Sequence, residues 1–212
     1  MQSISHIRKE YTLETLSEAD VHQHPLQQFA KWWDEAAKSE IDELNAMTLA
    51  TASAEGVPSA RIVLLKEYNE KGFVFFTNYE SAKGKELTEN PRASLLFFWK
   101  ELERQVRITG MVEKISAAES DAYFYSRPLG SRIGANASPQ SHTIENRAWL
   151  EKQVEVWNSQ KEEDIKRPSQ WGGYRVKPII FEFWQGRASR LHDRIQYSLQ
   201  DNGEWKIERL AP

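Results

Sequence analysis

The sequence predicts a mainly β chain with flanking helices, its strands forming an antiparallel barrel. Three observations carry this. Alternating runs recur along the chain, as in Val106, Ile108 and Val112 against Arg107, Thr109 and Glu113, the period-two pattern of half-buried strands. Turn signals such as Glu55-Gly56 and Asp201-Asn202-Gly203 separate runs that would pair as hairpins. Strands also follow one another without the repeated strand-helix alternation that builds a doubly wound parallel sheet.

Residues 1–24 are polar with little periodicity and are expected to form a mobile N-terminal arm, in which Arg8 and Tyr11 are the notable pair. Residues 25–212 are expected to form one domain. After Pro25, the apolar residues Leu26, Phe29, Ala30, Trp33 and Ala37 recur at helical spacing, predicting an amphipathic helix to about residue 39 that covers a sheet. Strands are predicted at 47–53, 58–66 and 72–77. A short helix at 81–90 is stopped by Pro91, because the residue before proline is pushed out of the helical region. Strands at 93–99 and 105–115 follow, then a helix at 117–126 ended by Pro128. Residues 131–142 read as loop and 144–160 as a helix with Leu150, Val154 and Trp157 on one face. The sheet is predicted to resume at 178–184, 190–200 and 205–209. The chain holds no internal repeat and no low-complexity tract.

Composition narrows the partners. At 212 residues and net charge -3, with acids and bases interspersed, there is no electrostatic footprint for nucleic acid or an anionic membrane. The absence of cysteine removes disulfides, thiolate nucleophiles and cysteine metal sites, and fits a reducing compartment. No apolar run reaches the ~20 residues of a membrane span, and the N-terminus lacks the apolar core of a secretory signal, so a cytoplasmic protein is expected. His22 and His24 have no third ligand nearby, and no metal is expected. The sequence carries no glycine-rich dinucleotide fingerprint, no phosphate loop and no nucleophile elbow.

The densest chemistry lies near the end, in Phe181-Glu182-Phe183-Trp184-Gln185-Gly186-Arg187-Ala188-Ser189-Arg190-Leu191-His192-Asp193-Arg194. At strand spacing Arg190, His192 and Arg194 would share one face. Such a face is either an edge strand protected by charge or a site for an anionic aromatic ligand, and Trp184 ahead of the cluster favours the ligand. Elsewhere, Ser81 is a plausible N-cap, yet Lys83 and Lys85 fall in the first helical turn, where the macrodipole disfavours cations. A bound phosphate would remove that conflict. Tyr123 and Arg127 are spaced to share a helix face, and a hydroxyl beside a guanidinium fork suits phosphate. The strand Arg61-Ile62-Val63-Leu64-Leu65-Lys66 has a cation near each end and on its own reads as a core strand with solvated ends.

Trp184-Gln185-Gly186 followed by Arg190-Leu191-His192-Asp193-Arg194 closely resembles the C-terminal signature of the pyridoxine (pyridoxamine) 5'-phosphate oxidases. The resemblance runs back through Trp171-Gly172-Gly173-Tyr174-Arg175, Gln140-Ser141, Ser126-Arg127-Pro128, Glu103-Arg104-Gln105-Val106, Arg61 to Lys66 and Arg8-Lys9-Glu10-Tyr11, nearly the whole chain. It implies a split β-barrel that binds flavin mononucleotide (FMN) at the subunit interface of a homodimer. Under it, the strand from Arg61 through Ile62, Val63, Leu64 and Leu65 to Lys66 lies along the FMN, with Lys66 reaching both cofactor and substrate. Phe76, Thr77, Lys83, Gln105, Gln140, Ser141, Trp184 and Arg194 complete the cofactor site. Tyr123, Arg127 and Ser131 take the substrate phosphate. Arg190 and His192, with Leu191 between them, meet the substrate as the catalytic pair, and Arg8 and Tyr11 close over it. The family often has an arginine where this chain has Ala82, so one phosphate contact is expected to be missing.

The implied activity is oxidation of pyridoxamine or pyridoxine 5'-phosphate to pyridoxal 5'-phosphate, with dioxygen reduced to hydrogen peroxide. Two rival readings are a split-barrel flavin oxidase acting on another aromatic substrate, as in phenazine biosynthesis, and a non-catalytic carrier of flavin or pyridoxal phosphate. The set Lys66, Tyr123, Arg127 and Ser131 argues against the first, because its phosphate-binding groups would be idle.

Overall fold

The alternation read from the sequence reappears as alternating burial. In β1 (Ala46–Ala52) every second side chain is buried, and in β5 (Arg92–Trp99) and β6 (Arg104–Lys114) the inward positions Ala93, Leu95, Phe97, Val106 and Ile108 are shielded while Phe98 and Arg107 face out. The structure, a computed structural model, describes Ser3, His6 and residues 9–212. The remaining strands are β2 (Pro58–Leu64), β3 (Glu67–Asn69), β4 (Gly72–Asn78), β7 (Trp171–Gln185), β8 (Asp193–Leu199) and β9 (Trp205–Arg209). They pair in the order β2-β1-β5-β6-β7-β4-β3, with β8 and β9 added through β7. The β3-β4, β4-β7, β7-β8 and β8-β9 pairs are antiparallel. The helices are α1 (Pro25–Ala37), α2 (Ala82–Glu89), α3 (Ala117–Ser126), α4 (Leu129–Ala137) and α5 (Arg147–Asn158). This is the mainly β, antiparallel architecture with flanking helices that the sequence predicts.

The chain divides into two compact units. One holds the described residues up to Leu49 with Ser94–Gly110 and Pro178–Pro212; the other holds Ala50–Ala93 and Met111–Lys177. In the first, α1 buries Phe29, Trp32 and Ala36. Trp32 meets Phe183 edge-on at 5.2 Å and Phe29 packs on Phe97 and Trp99. Each such side chain contributes about 1.5–3 kcal/mol by leaving water, so the aromatic face of α1 fixes it on the sheet. Residues ahead of α1 also make contacts here: Leu16 and Val21 are buried, and the His22 carbonyl accepts from the Tyr197 hydroxyl at 2.7 Å.

In the second unit, Phe73, Phe75, Tyr174 and Val176 pack between β4 and the first half of β7. Gly173 is opposite Phe76 in that pairing, and a Cβ there would sit 3.0 Å from the Phe76 ring and 2.4 Å from Ile115. Only glycine allows the aromatic layer to lie this close to the strand. β2 ends the strand order and also runs close to β4, so the sheet curls back on itself within this unit.

Three expectations need correction. Residues 129–137 form α4 rather than loop; Pro128 ends α3 and, with its fixed φ of -52°, serves as the N-cap of the next helix. β7 begins at Trp171 rather than 178, since its glycines pair with β4 instead of breaking the strand. Most important for the site, β8 begins at Asp193, not residue 190: Ser189 and Arg190 have φ of 56° and 62° in a 3-10 turn. Arg190, His192 and Arg194 therefore do not share a strand face.

Candidate active site

In the second unit, β2, β4, α2 and the α3-α4 junction surround a cavity of about 760 Å³. Arg61, Ile62, Val63, Leu64 and Lys66 line one side in near-continuous sequence. A strand seen face-on would offer alternate residues only, but β2 ends the strand order and so presents its outer edge. Leu65 is buried in the core and does not line the cavity. The cationic groups Arg61, Lys66, Lys83 and Arg127 line it, and no carboxylate is among its described lining residues.

Two corners of this cavity suit anions. The first is the start of α2. Ser81 caps the helix, its Oγ accepting from the Gly84 N–H at 3.4 Å and donating to the Asn78 carbonyl at 2.7 Å. Lys83, buried, folds back over the cap and donates to Ser81 Oγ at 3.1 Å and Thr77 Oγ1 at 3.2 Å. Desolvation, with the nearby Arg61 charge, lowers the Lys83 pKa. A cation beside a helix N-terminus, with another cation nearby, is the expected response of a site built to receive a negative group. Behind Arg61 stands Glu86, which pairs with it at 3.3 Å and accepts from Ser59 Oγ at 2.7 Å and from Thr51. Burial alone would raise the Glu86 pKa, but the hydroxyls of Thr51 and Ser59 and the Arg61 charge outweigh it and hold it below the usual value. Gln140 adds an amide: its Oε1 accepts from Thr77 Oγ1 at 3.2 Å and the Asn78 N–H at 3.3 Å. Ser141 follows with φ of 71°.

The second corner is the start of α4. Tyr123 stacks on Phe76 at 3.9 Å, and the Arg127 guanidinium lies 4.6 Å over Trp171. Arg127 is not on the α3 face: it caps that helix with extended backbone, φ -78° and ψ 148°. The turn brings it beside Ser131, in the first turn of α4, and both line the cavity with Tyr123. Arg127 Nη1 is buried with no hydrogen-bond partner, and desolvation lowers the Arg127 pKa. A buried guanidinium N–H without an acceptor, on a residue that lines the cavity, marks a place for an anionic oxygen.

The other predicted residues belong to the first unit. Tyr11, Arg190 and His192 line a separate cavity of about 540 Å³ together with Lys9, Glu10, Arg187 and Ser189. Trp184 lies 4.6 Å from the His192 ring and Tyr11 meets Trp184 edge-on at 5.8 Å. His192 Nδ1 accepts from the Arg187 N–H at 3.1 Å, so the neutral ring carries its proton on Nε2. Burial, then the Arg190 charge, lowers the His192 pKa. Arg190 and Leu191 are exposed. Arg194 pairs across the sheet with Trp184 and donates to Glu182 Oε1 at 2.8 Å and the Ala211 carbonyl at 2.8 Å. Gln105 is half-buried at the start of β6. Arg8 lies outside the described residues.

Sequence reasoning missed the acids behind these cations. Glu182, buried, holds both Arg107 and Arg194; Glu86 holds Arg61; and buried Glu103 holds Lys9 at 3.0 Å. Glu182 had a signal, a carboxylate inside the apolar run Ile179-Ile180-Phe181-Glu182-Phe183-Trp184, where burial demands a partner. Among the described residues no group of His, Cys, Asp or Glu is arranged to hold a metal ion, and no helix is long and apolar enough to cross a membrane.

Comparison with known proteins adds to this geometry. Residues 33–161 match the family described as pyridoxamine 5'-phosphate oxidase, and residues 171–212 match the pyridoxine 5'-phosphate oxidase C-terminal dimerisation region. A pyridoxine/pyridoxamine 5'-phosphate oxidase of Polynucleobacter asymbioticus is 58% identical over 212 residues, covering all of both chains. PhzG from Burkholderia lata, solved with tetrahydrophenazine-1-carboxylic acid, superposes with a TM-score of 0.86 at 29% identity over 94% of this chain and 99% of that one. A pyridoxamine 5'-phosphate oxidase-related, FMN-binding protein from Nostoc punctiforme shares the fold at a TM-score of 0.70 and 18% identity, over 91% of this chain and all of that one.

Proposed function

The chain belongs to the pyridoxamine 5'-phosphate oxidase family, and on that premise we propose that it oxidises pyridoxamine or pyridoxine 5'-phosphate to pyridoxal 5'-phosphate with FMN as cofactor. The observation that carries this reading is the pair of anion corners in one cavity, at the starts of α2 and α4, joined by the edge of β2. Two phosphorylated ligands need two such corners.

The residues fit FMN. Arg61, Lys83, Thr77 and Ser81 offer cationic and hydroxyl groups at a helix N-terminus to its phosphate. The apolar edge Ile62 to Leu64 and the Gln140 amide face the space its ring would need. When bound, FMN supplies the two-electron redox chemistry that side chains lack, with dioxygen as final acceptor and hydrogen peroxide as product. Tyr123, Arg127 and Ser131 hold the substrate phosphate, and Lys66, at the cavity wall, reaches both ligands. Arg190 supplies a fixed charge to a substrate oxygen, and His192, neutral and protonated on Nε2, donates a hydrogen bond that orients the ring. Trp184, Arg194 and Gln105 serve the flavin and Tyr11 covers the substrate, roles read from the resemblance. The C-terminal match to a dimerisation region supports a homodimer, with flavin at its subunit interface. A cytoplasmic location belongs to the same proposal.

The phenazine-type alternative is not favoured. The solved relative with a phenazine ligand is 29% identical, against 58% for the phosphate oxidase, and that ligand carries a carboxylate but no phosphate for the set Tyr123, Arg127 and Ser131. The test is anaerobic mixing of FMN-loaded protein with pyridoxamine 5'-phosphate. Bleaching of the flavin, then peroxide when air is admitted, is expected; a flavin that stays yellow rejects the oxidase and leaves a carrier.

A further inference from the structure

We propose that Glu103 is a positioning residue: its carboxylate latches residues 9–13 so that the Tyr11 ring forms one wall of the cavity containing Arg190 and His192. The proposal rests on the oxidase reading for its kinetic consequence and on geometry for the latch. Glu103 is only 2% exposed and has a left-handed backbone, φ 54°, at the end of a 3-10 turn. Its Oε2 accepts from the consecutive N–H groups of Thr12 and Leu13 at 2.9 and 3.2 Å, and its Oε1 pairs with Lys9 Nζ at 3.0 Å. Burial would raise its pKa, but Lys9 and these two N–H groups outweigh burial and hold it low. A buried carboxylate without such partners is costly, so docking of the segment and charge on Glu103 require each other.

The same residue also fixes the surface that Tyr11 lands on. The Glu103 carbonyl accepts from the Gly186 N–H at 2.8 Å and from Gln185 Nε2 at 3.3 Å. A Cβ at Gly186 would lie 2.8 Å from Tyr11 Cβ, Cγ and Cδ2, so the ring rests directly on glycine backbone. From there it meets Trp184 at 5.8 Å and His192 at 6.0 Å. The next stretch is anchored separately. Asp193 accepts from the Leu16 N–H at 3.1 Å, and Arg209 binds the Leu16 carbonyl, Glu18 and Asp193. That second anchor leaves the placement of Tyr11 to Glu103.

The experiment uses full-length FMN-loaded protein. Glu103→Gln keeps the shape but replaces an acceptor oxygen with a donor facing donors. It should raise KM for pyridoxamine 5'-phosphate about tenfold, the effect of one charged hydrogen bond, while leaving kcat and the FMN Kd within about twofold. Tyr11→Ala should raise KM similarly, and the double variant should be no worse than Tyr11→Ala, because the two residues act as one unit. An unchanged KM, an additive double variant or an equal loss of FMN each overturns the proposal. Trypsin cleavage at the Lys9–Glu10 bond reads the latch without turnover: Glu103→Gln should speed it, and equal rates in wild type and variant reject the latch. Wild-type protein that never bleaches its flavin while Glu103→Gln still speeds cleavage would refute the oxidase reading and leave the latch standing.

Discussion

The cavity at α2 and α4 and the cluster around His192 are built by opposite means. The first is assembled from the ends of regular elements, and two of its cations are desolvated: Lys83 beside a second cation, and Arg127 with a buried N–H that has no acceptor. The second is assembled around the turn between β7 and β8, and most of its groups already have protein partners: Arg194 with Glu182, His192 with Arg187, Tyr11 with Trp184. Arg190 stands exposed on a strained turn. The difference separates tasks. Unsatisfied charge supplies affinity for phosphate, whereas side chains locked by neighbours supply orientation.

The sharpest break between the two should come from Arg190→Met, which keeps the stem and removes the charge. Loss of one fixed group facing developing charge costs about a hundredfold to a thousandfold in rate, so anaerobic flavin reduction should slow by about that factor while FMN content stays at wild-type level. Reduction at wild-type speed would remove Arg190 from the chemistry. Arg127→Leu should do the reverse: substrate affinity falls about tenfold to a hundredfold, as expected for a charged hydrogen bond of roughly 1.5–3 kcal/mol, and FMN titration is unchanged. Equal loss of FMN would show that the two corners of the cavity are not separate.

The contrast also explains what could be read in the sequence. Strands and helices with a clear period were legible, as was the Ser81 cap with Lys83 in the first turn, because each depends on local spacing. The face shared by Arg190, His192 and Arg194 was misread because positive φ at Ser189 and Arg190 interrupts the strand, and neither residue is a glycine or asparagine that would signal it. α4 was missed because Gly130 and Gly134 suggest loop, whereas Pro128 at its start outweighs them. Glu86 and Glu103 were invisible as partners because they are 25 and 94 residues from Arg61 and Lys9. Long-range ion pairs have no local pattern.

A pH profile sharpens the orientation side. The folded pKa of His192 lies below its ordinary 6.5, first through burial and then through Arg190. The unfolded chain therefore takes up this proton first as pH falls, so its share of stability is complete above 6.5 and declines from there toward the folded value. Protonation would also place a second N–H at Nδ1, against the Arg187 donor. The acid limb of kcat/KM should accordingly fall below pH 6.5 and move up in Arg190→Met, which removes one of the two causes. An acid limb that stays in place in that variant would show that His192 is not the group being titrated.

The smallest effect tests the affinity side at Ala82, the first residue of α2, exposed and lining the cavity. Ala82→Arg adds a cation at a helix N-terminus already facing Lys83. Without ligand the macrodipole opposes this by about 0.3–1 kcal/mol, so the apoprotein should melt roughly 1–4 °C lower. With FMN the new guanidinium gains a phosphate partner, and Kd should fall about threefold to tenfold, in the range of a partly exposed charged hydrogen bond. Riboflavin, which has the same ring without the phosphate, should gain nothing. The two shifts have opposite signs in one variant, which no general change in stability reproduces. Riboflavin binding that tightens as much as FMN binding would move the phosphate away from the α2 corner.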